Sequence, residues 1–325
     1  MSPSDAPTSQ TQFLGTPASG LAIEARGLSK TYSSQGRTHQ ALKSIDLDIP
    51  IGCIYGLLGP NGAGKSTFIN IMAGTVMKSQ GSLSIWGTNI DDNPRQARAN
   101  IGIVPQELNI DAFFTPRETL DMMAGLFGVP RAERHTDEIL QMVGLTEQAD
   151  FYSRRLSGGM RRRLLVGKAM VHRPPILVLD EPTAGVDVAL RQRLWDSIRD
   201  LNKAGVTVVL TTHYLEEAEA LCDRIAIINK GEIIAAKSKI DLLASAGQKT
   251  MHLSLATSPP LPLPKGLAAL GAKWDNNRLS VNFDPAKTNA ITLLNQIKGY
   301  GIDVTDISTA EPDLEDVFLG LTNTN

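Results

Sequence analysis

The sequence predicts an α/β fold, a mostly parallel sheet flanked by helices, followed by a small α+β domain. Three observations carry this expectation. Cys53-Ile54-Tyr55-Gly56-Leu57-Leu58 is a short apolar run that leads into Gly59-Pro60-Asn61-Gly62-Ala63-Gly64-Lys65-Ser66-Thr67, and Phe68 to Ala73 then reads as a helix. Strand, glycine-rich loop and helix in that order fit G-x-x-x-x-G-K-[ST], in which backbone N–H groups and the positive helix end converge on phosphate oxygens. A second apolar run, Ile176 to Leu179, ends in Asp180-Glu181-Pro182, and the exit of a buried strand is where α/β sheets bind ligands. After about Leu243 the composition changes, with a Pro-rich stretch at Ser258 to Pro264 inside a region of short alternating segments.

Taken in order, residues 1–21 are rich in Ser, Thr, Pro and Gln and lack the basic and apolar parts of a signal peptide, so a disordered tail is expected. Ile23 to Tyr32 and Ile45 to Ile49 read as antiparallel strands ahead of the parallel sheet. Between about 107 and 155, the runs Glu118 to Met123 and Thr136 to Val143 have helical periodicity with no strand between them, which marks a helical insert. Leu156-Ser157-Gly158-Gly159-Met160 then precedes a helical pattern containing Leu164, Leu165 and Met170. Ser157 near a helix start, with exposed N–H groups at Gly158 and Gly159, is a second anion site. One nucleotide needs only one cradle, so this one is expected to serve a nucleotide held by another subunit. Arg161-Arg162-Arg163 reads first as a solvated, salt-bridged face and second as a source of phosphate attraction. In the last region, Met251 to Leu255, Leu279 to Phe283 and Val304 to Ser308 read as strands, and Ala290 to Lys298 and Leu314 to Leu321 as helices. The expected division is therefore 1–21 tail, 22–243 first domain and 244–325 accessory domain.

A chain of 325 residues, 42% hydrophobic, suits two domains. Lys and Arg total 32 against 34 Asp and Glu, a net charge of -2, so no nucleic-acid partner is expected. Cys53 and Cys222 belong to no C-x-x-C pair, which favours buried thiols in a reducing compartment. No apolar stretch reaches the roughly 18–20 residues needed to span a bilayer, so a membrane role would run through a partner. For the chemistry, Lys65 is expected on the β- and γ-phosphates, Ser66 on Mg²⁺ and Thr67 on phosphate. Asp180 is expected to hold Mg²⁺ directly or through water, and Glu181 to orient or deprotonate the attacking water.

The loop at Gly59 to Thr67, Leu156-Ser157-Gly158-Gly159, and Ile176 to Glu181, in this order and spacing, resemble the ATP-binding cassette family of transport ATPases over roughly Ala22 to Leu243. Thr211-Thr212-His213-Tyr214-Leu215-Glu216-Glu217-Ala218 and Leu314-Glu315-Asp316-Val317-Phe318 further resemble the exporter branch whose ATPase partners a separate permease. The resemblance implies a P-loop NTPase cassette with an antiparallel β subdomain and helical insert, hydrolysing ATP with Mg²⁺ as a homodimer that sandwiches two ATP molecules. It implies a separate integral membrane permease as partner, with the chain on the cytoplasmic face of the cell (inner) membrane. Residue by residue, it assigns Tyr32, on the turn after the first strand, to stack on adenine, and Gln106 to sense Mg²⁺ and the attacking water. It assigns Asp187 to contact the opposite subunit and His213 to the γ-phosphate. Met160 stands where many members have glutamine, and Ala184-Gly185-Val186 replaces a commoner Ser-Ala-Leu; both leave Ser157 intact. The competing expectation is a soluble cassette protein that uses ATP as a conformational switch. A DNA-repair cassette would need a long coiled coil between Gln106 and Ser157, and a GTPase an Asn-Lys-x-Asp guanine reader; the sequence has neither.

Overall fold

The structure is a computed structural model that describes residues 15–34, 36–184, 188–245, 249–257, 262–275, 278–284, 287–310 and 313–322. It divides into two compact units, Met1–Lys237 and Ser238–Asn325. The first runs β1 (Leu21–Ser34), β2 (Arg37–Pro50), β3 (Ile54–Leu58), α1 (Lys65–Met72), β4 (Gln80–Ile85), β5 (Thr88–Asn89), α2 (Pro94–Ala99) and β6 (Ile101–Val104). It continues with α3 (Pro116–Leu126), α4 (Thr136–Met142), α5 (Gly158–Met170), β7 (Ile176–Asp180), α6 (Val188–Lys203), β8 (Thr207–Thr212), α7 (Leu215–Leu221), β9 (Arg224–Asn229) and β10 (Glu232–Ser238).

Two sheets result, ordered β2-β1-β4-β5 and β10-β9-β3-β8-β7-β6. In the second, β3 lies parallel between β8 and β9, and β7 parallel between β8 and β6. Every residue of β3 and β8 is buried, which is why β3 and the Val208 to Leu210 centre of β8 read as apolar runs rather than alternating ones, with Thr207, Thr211 and Thr212 at the ends of β8. In the antiparallel sheet, Ile23 faces Ile49 and Ile85, and Ala25 faces Leu47 and Leu83. These side chains join Phe68 and Ile71 of α1 in one core that runs under the phosphate loop.

The expected helical insert is present as α3 and α4. α3 starts with a capping box, in which Thr115 Oγ1 accepts from the Glu118 N–H at 3.2 Å and the Thr115 N–H donates to Glu118 Oε2 at 2.9 Å. Both helices pack against α5, where a Cβ on Gly167 would lie 3.1 Å from Ile139 and 3.3 Å from Leu120. On its other side α5 sits directly on β6: a Cβ at Gly102 would come within 2.2 Å of the Ala169 carbonyl oxygen.

The second unit holds α8 (Lys239–Ser245), β11 (Lys249–Leu255), α9 (Lys265–Ala269), β12 (Lys273–Asp275), β13 (Arg278–Phe283), α10 (Ala290–Lys298), β14 (Val304–Ala310) and α11 (Leu314–Thr322), with sheet order β12-β13-β11-β14. Met251, Leu253, Leu279 and Val281 pack with Leu293 and Ile297 of α10. Its boundary falls six residues before the expected Leu243 because the Asp241 N–H bonds Ser238 Oγ at 3.1 Å, opening α8, and α8 packs on α11. Residues 17–21 of the expected 1–21 tail are tied to the fold. The Gly20 N–H bonds the Pro17 carbonyl, the Ile51 N–H bonds Gly20, and Leu21 opens β1; residues 1–14 lie outside the described residues, as do 258–261 of the Pro-rich stretch. Among the described residues no helix is long and apolar enough to cross a membrane.

Gly102→Ala should force α5 and β6 apart and destabilise the first unit by about 1–3 kcal/mol, the usual range for an overpacked core. Urea denaturation of this variant should show a lowered midpoint; an unchanged midpoint would contradict the seating of α5 on β6.

Candidate functional site

The loop after β3 curls because three of its positions need glycine. At Gly64, φ is 115° and a Cβ would meet the Ala41 carbonyl oxygen at 2.7 Å; at Gly59 a Cβ would lie 2.2 Å from the Ile228 carbonyl oxygen. Gly62 also has positive φ, at 81°. The Ala63 N–H turns back onto Pro60 at 3.2 Å, and the Phe68 N–H starts the α1 ladder on Gly64 at 3.0 Å. Pro60, Asn61, Gly62 and Ser66 are exposed, Thr67 half-buried, and Ala63, Gly64 and Lys65 buried. Lys65 folds back into its own loop, where Nζ donates to Gly59 O at 2.6 Å and Pro60 O at 3.1 Å. Burial lowers the Lys65 pKa, opposed by the neighbouring carboxylates of Glu181 and Asp180.

Glu181 is where the separate segments meet. It follows β7 and is only 8% exposed. Its φ of 46° is unusual for a residue with a side chain. Its N–H is held by Thr211 on β8, at 3.1 Å to the carbonyl and 3.2 Å to Oγ1. The same Thr211 hydroxyl donates to Asp180 Oδ1 at 2.5 Å, so one side chain holds the Asp180 carboxylate and the Glu181 backbone. Gln106 Nε2, from the segment after β6, donates to Glu181 Oε2 at 3.0 Å. His213 Nδ1, from the turn after β8, lies 3.0 Å from Oε1, and Lys65 Nζ lies 3.9 Å from the same oxygen. Four of the expected residues, Lys65, Gln106, Glu181 and His213, are thus brought together, with Asp180 beside them.

The other expected positions stand apart. Ser157 is the N-cap of α5, its Oγ accepting from the Met160 N–H at 3.3 Å; Ser157 and Gly158 are exposed and Gly159 buried. Among the described residues no hydrogen bond joins these three to the phosphate loop. Tyr32 corrects its expected place: it lies within β1, opposite His39 of β2, not on a turn, because the pairing continues to Ser34 with Arg37. Its ring is 38% exposed and carries Lys30 Nζ at 4.8 Å. Asp187 lies outside the described residues.

Arg161-Arg162-Arg163 is not a solvated, salt-bridged face. Arg162 is 4% exposed, and its guanidinium donates to Pro182 O (2.9 Å), Pro105 O (2.9 Å), Gln106 O (2.7 Å), Asp180 O (3.4 Å) and Glu181 O (2.6 Å). Arg163 donates to Val143 and Gly144, and Arg161 to Leu156. Backbone carbonyls, not carboxylates, take this charge. Arg162 and Thr211 are the two contributors that motif reading passed over. Arg162 sits three residues after buried Gly159 and four before buried Val166, on the inward stripe of α5, and that spacing was the available signal.

With this geometry in hand, comparison with known proteins is specific. A family model described as ABC transporter matches residues 42–184. The linearmycin resistance ATP-binding protein LnrL of Bacillus subtilis (strain 168) is 35% identical over 308 residues, 92% of this chain and 98% of that protein. The daunorubicin/doxorubicin resistance ATP-binding protein DrrA of Streptomyces peucetius is 36% identical over 309 residues, 93% of this chain and 92% of that protein. Among solved structures, the dimeric post-hydrolysis state of the ATP-binding cassette MJ0796 bound to ADP and Pi superposes with a TM-score of 0.58 at 27% identity, over 66% of this chain and 98% of that one. The cradle, the carboxylates at the exit of β7 and relatives matched over nearly their full length agree: the chain belongs to the ABC transporter family, as an ATP-binding subunit, an ABC ATPase of the exporter type.

Proposed function

We propose that this chain is a Mg²⁺-dependent ATPase that works as a homodimer around two ATP molecules and drives export through a separate membrane permease on the cytoplasmic face. The observation that carries the hydrolytic part is the Glu181 carboxylate, buried yet held by Gln106 and His213 with Lys65 beside it. A carboxylate fixed on two sides is oriented for one task, and taking a proton from water is the task its neighbours suit. Lys65 would exchange its bonds to Gly59 and Pro60 for the β- and γ-phosphate oxygens. His213 would offer its second ring nitrogen to the γ-phosphate, and Gln106 its side-chain amide oxygen Oε1 to the water or the metal. As water attacks phosphorus its proton passes to Glu181, the bond from the γ-phosphorus to the bridging oxygen breaks, and ADP leaves with that electron pair.

The residues present fit Mg²⁺. Ser66 is exposed at the first turn of α1, Thr211 takes Asp180 Oδ1 with no hydrogen bond to Oδ2 among the described residues, and Gln106 is held beside them through Nε2 with its amide oxygen as the third donor; all three are hard oxygen donors. Bound there, Mg²⁺ would neutralise charge on the β- and γ-phosphates. Tyr32 is exposed enough to stack on adenine. Ser157 and Gly158 stand exposed at the start of α5 beside buried Gly159, which supports the use of this turn, with Asp187, on ATP held by the opposite subunit. The dimeric solved cassette supports the homodimer, and the resistance roles named for LnrL and DrrA support outward transport. The second unit, with no phosphate loop, is an accessory domain serving dimer or permease contact.

Glu181→Gln should leave ATP binding intact and slow hydrolysis roughly 10²- to 10⁴-fold, the usual contribution of a positioned base. Gel filtration with ATP and Mg²⁺ should then show a trapped dimer; a monomer with full turnover would remove Glu181 from the mechanism. Lys65→Ala should weaken ATP binding itself, so unaltered affinity by titration calorimetry would contradict the phosphate-loop assignment. Mixing Lys65→Ala chains with Ser157→Arg chains should generate heterodimers with both lesions in one composite site and the other site whole. Activity above the average of the two homodimers is expected, and strictly additive loss would mean sites built within one chain.

A further inference from the structure

The five bonds of Arg162 all end on carbonyl oxygens of two segments, Pro105-Gln106 after β6 and Asp180-Glu181-Pro182 after β7. Only a guanidinium has enough donors, spread in a planar fork, to hold both segments from one side chain. Burial lowers the Arg162 pKa, opposed in part by the nearby carboxylates of Glu217 and Asp180. Glu217 is itself 1% exposed on α7, the helix that follows His213. Arg162 therefore ties together the segments that carry Gln106 and Glu181, with Glu217 of the helix after His213 close enough for its charge to be felt. The opposite end of this connection is short: Ser157 lies five residues earlier, about one and a half turns along α5. The helix between them is stiffly seated, with Gly167 against the insert and the Ala169 carbonyl against Gly102.

We propose that Arg162 is a positioning residue that couples the Ser157 end of α5 to Gln106 and Glu181, so that ATP held against Ser157 by one subunit sets the hydrolytic geometry for ATP on this chain's own phosphate loop. The proposal rests on the cross-subunit reading of Ser157 given above. Each subunit of the dimer then reports the occupancy of its partner's nucleotide to its own carboxylate, and the two sites hydrolyse cooperatively. Arg162 touches no phosphate in this scheme; it acts through the backbone on which Gln106 and Glu181 are mounted.

The test uses full-length Arg162→Lys, which keeps the charge and loses the fork, and Arg162→Gln, which keeps one or two donors. Both should bind ATP with unchanged affinity. In the Glu181→Gln background both should still form the ATP-held dimer on gel filtration. With Glu181 present, kcat should fall about 100-fold, the cost of a catalytic group displaced by about 1 Å, while KM stays put. The Hill coefficient for ATP should drop towards 1, since the sites no longer inform one another. Hydrogen exchange on the nucleotide-free variants should quicken in residues 101–107 and 176–182 and remain unchanged in 249–255. Wild-type kcat and Hill coefficient in either folded variant would overturn the proposal. So would parallel losses of ATP affinity and kcat, which would mark Arg162 as a general support of the site. If Glu181→Gln is slow while the Arg162 variants are normal, the coupling fails and the hydrolytic reading stands. If Glu181→Gln turns over normally, the hydrolytic reading fails first.

Discussion

Desolvating a carboxylate is the constraint from which the first unit's architecture follows. Glu181 at 8% exposure would be prohibitively placed without partners, and no neighbour in sequence can supply them. Its compensation comes from an amide after β6, an imidazole after β8 and an ammonium at the start of α1. Those three reach it only because β6, β7, β8 and β3 are adjacent in the parallel sheet and end on the same side. The sheet order is thus the scaffold of an electrostatic arrangement. The positive φ at Glu181 fits this account: a backbone held in a sparsely populated region turns the carboxylate toward its partners, and Thr211 holds it there from the next strand.

A second charge is handled the opposite way. Arg162 is buried among carbonyl oxygens, with carboxylates near but not bonded to it, so its stabilisation is spread over the backbone of two loops. Breaking either set would leave polar groups without partners in the interior, a cost of about 1–3 kcal/mol for each. The two arrangements share Gln106: its side chain serves Glu181 and its carbonyl serves Arg162. One residue therefore joins the anionic centre to the cationic one.

Much of this was legible in sequence where local chemistry decides the structure. β3 and β7 announce themselves because strands buried on both faces are largely apolar, and α10 because Asn289 caps it and Leu293 and Ile297 form its inward stripe. The phosphate loop was readable because its shape needs Gly59 and Gly64 and tolerates no Cβ. What escaped depends on partners far along the chain. Tyr32 is a strand residue because β2 continues beside it, and the second unit starts early because α8 finds α11 some seventy residues away. Short elements such as β5, β12 and α9 carry too few residues for any periodicity to appear. Arg162 escaped because three arginines in a row look like surface, and only the position of the middle one on the inward stripe of α5 says otherwise.

The strand order also bears on how the chain is made. β1, β2 and β4 lie within the first 85 residues, so the antiparallel sheet can close on local pairings as soon as that stretch leaves the ribosome. β3 cannot: its neighbours are β8 and β9, and the second of them ends at Asn229. The stretch of about 150 residues to the end of β8 takes roughly 10–30 s to synthesise at common translation rates, during which β3 waits with both edges bare, and its second edge waits on until β9 is made. The nucleotide cradle hangs from that strand, so it is among the last parts of the first unit to become native, and the nascent chain is most vulnerable to aggregation, and most in need of a chaperone, until β9 emerges.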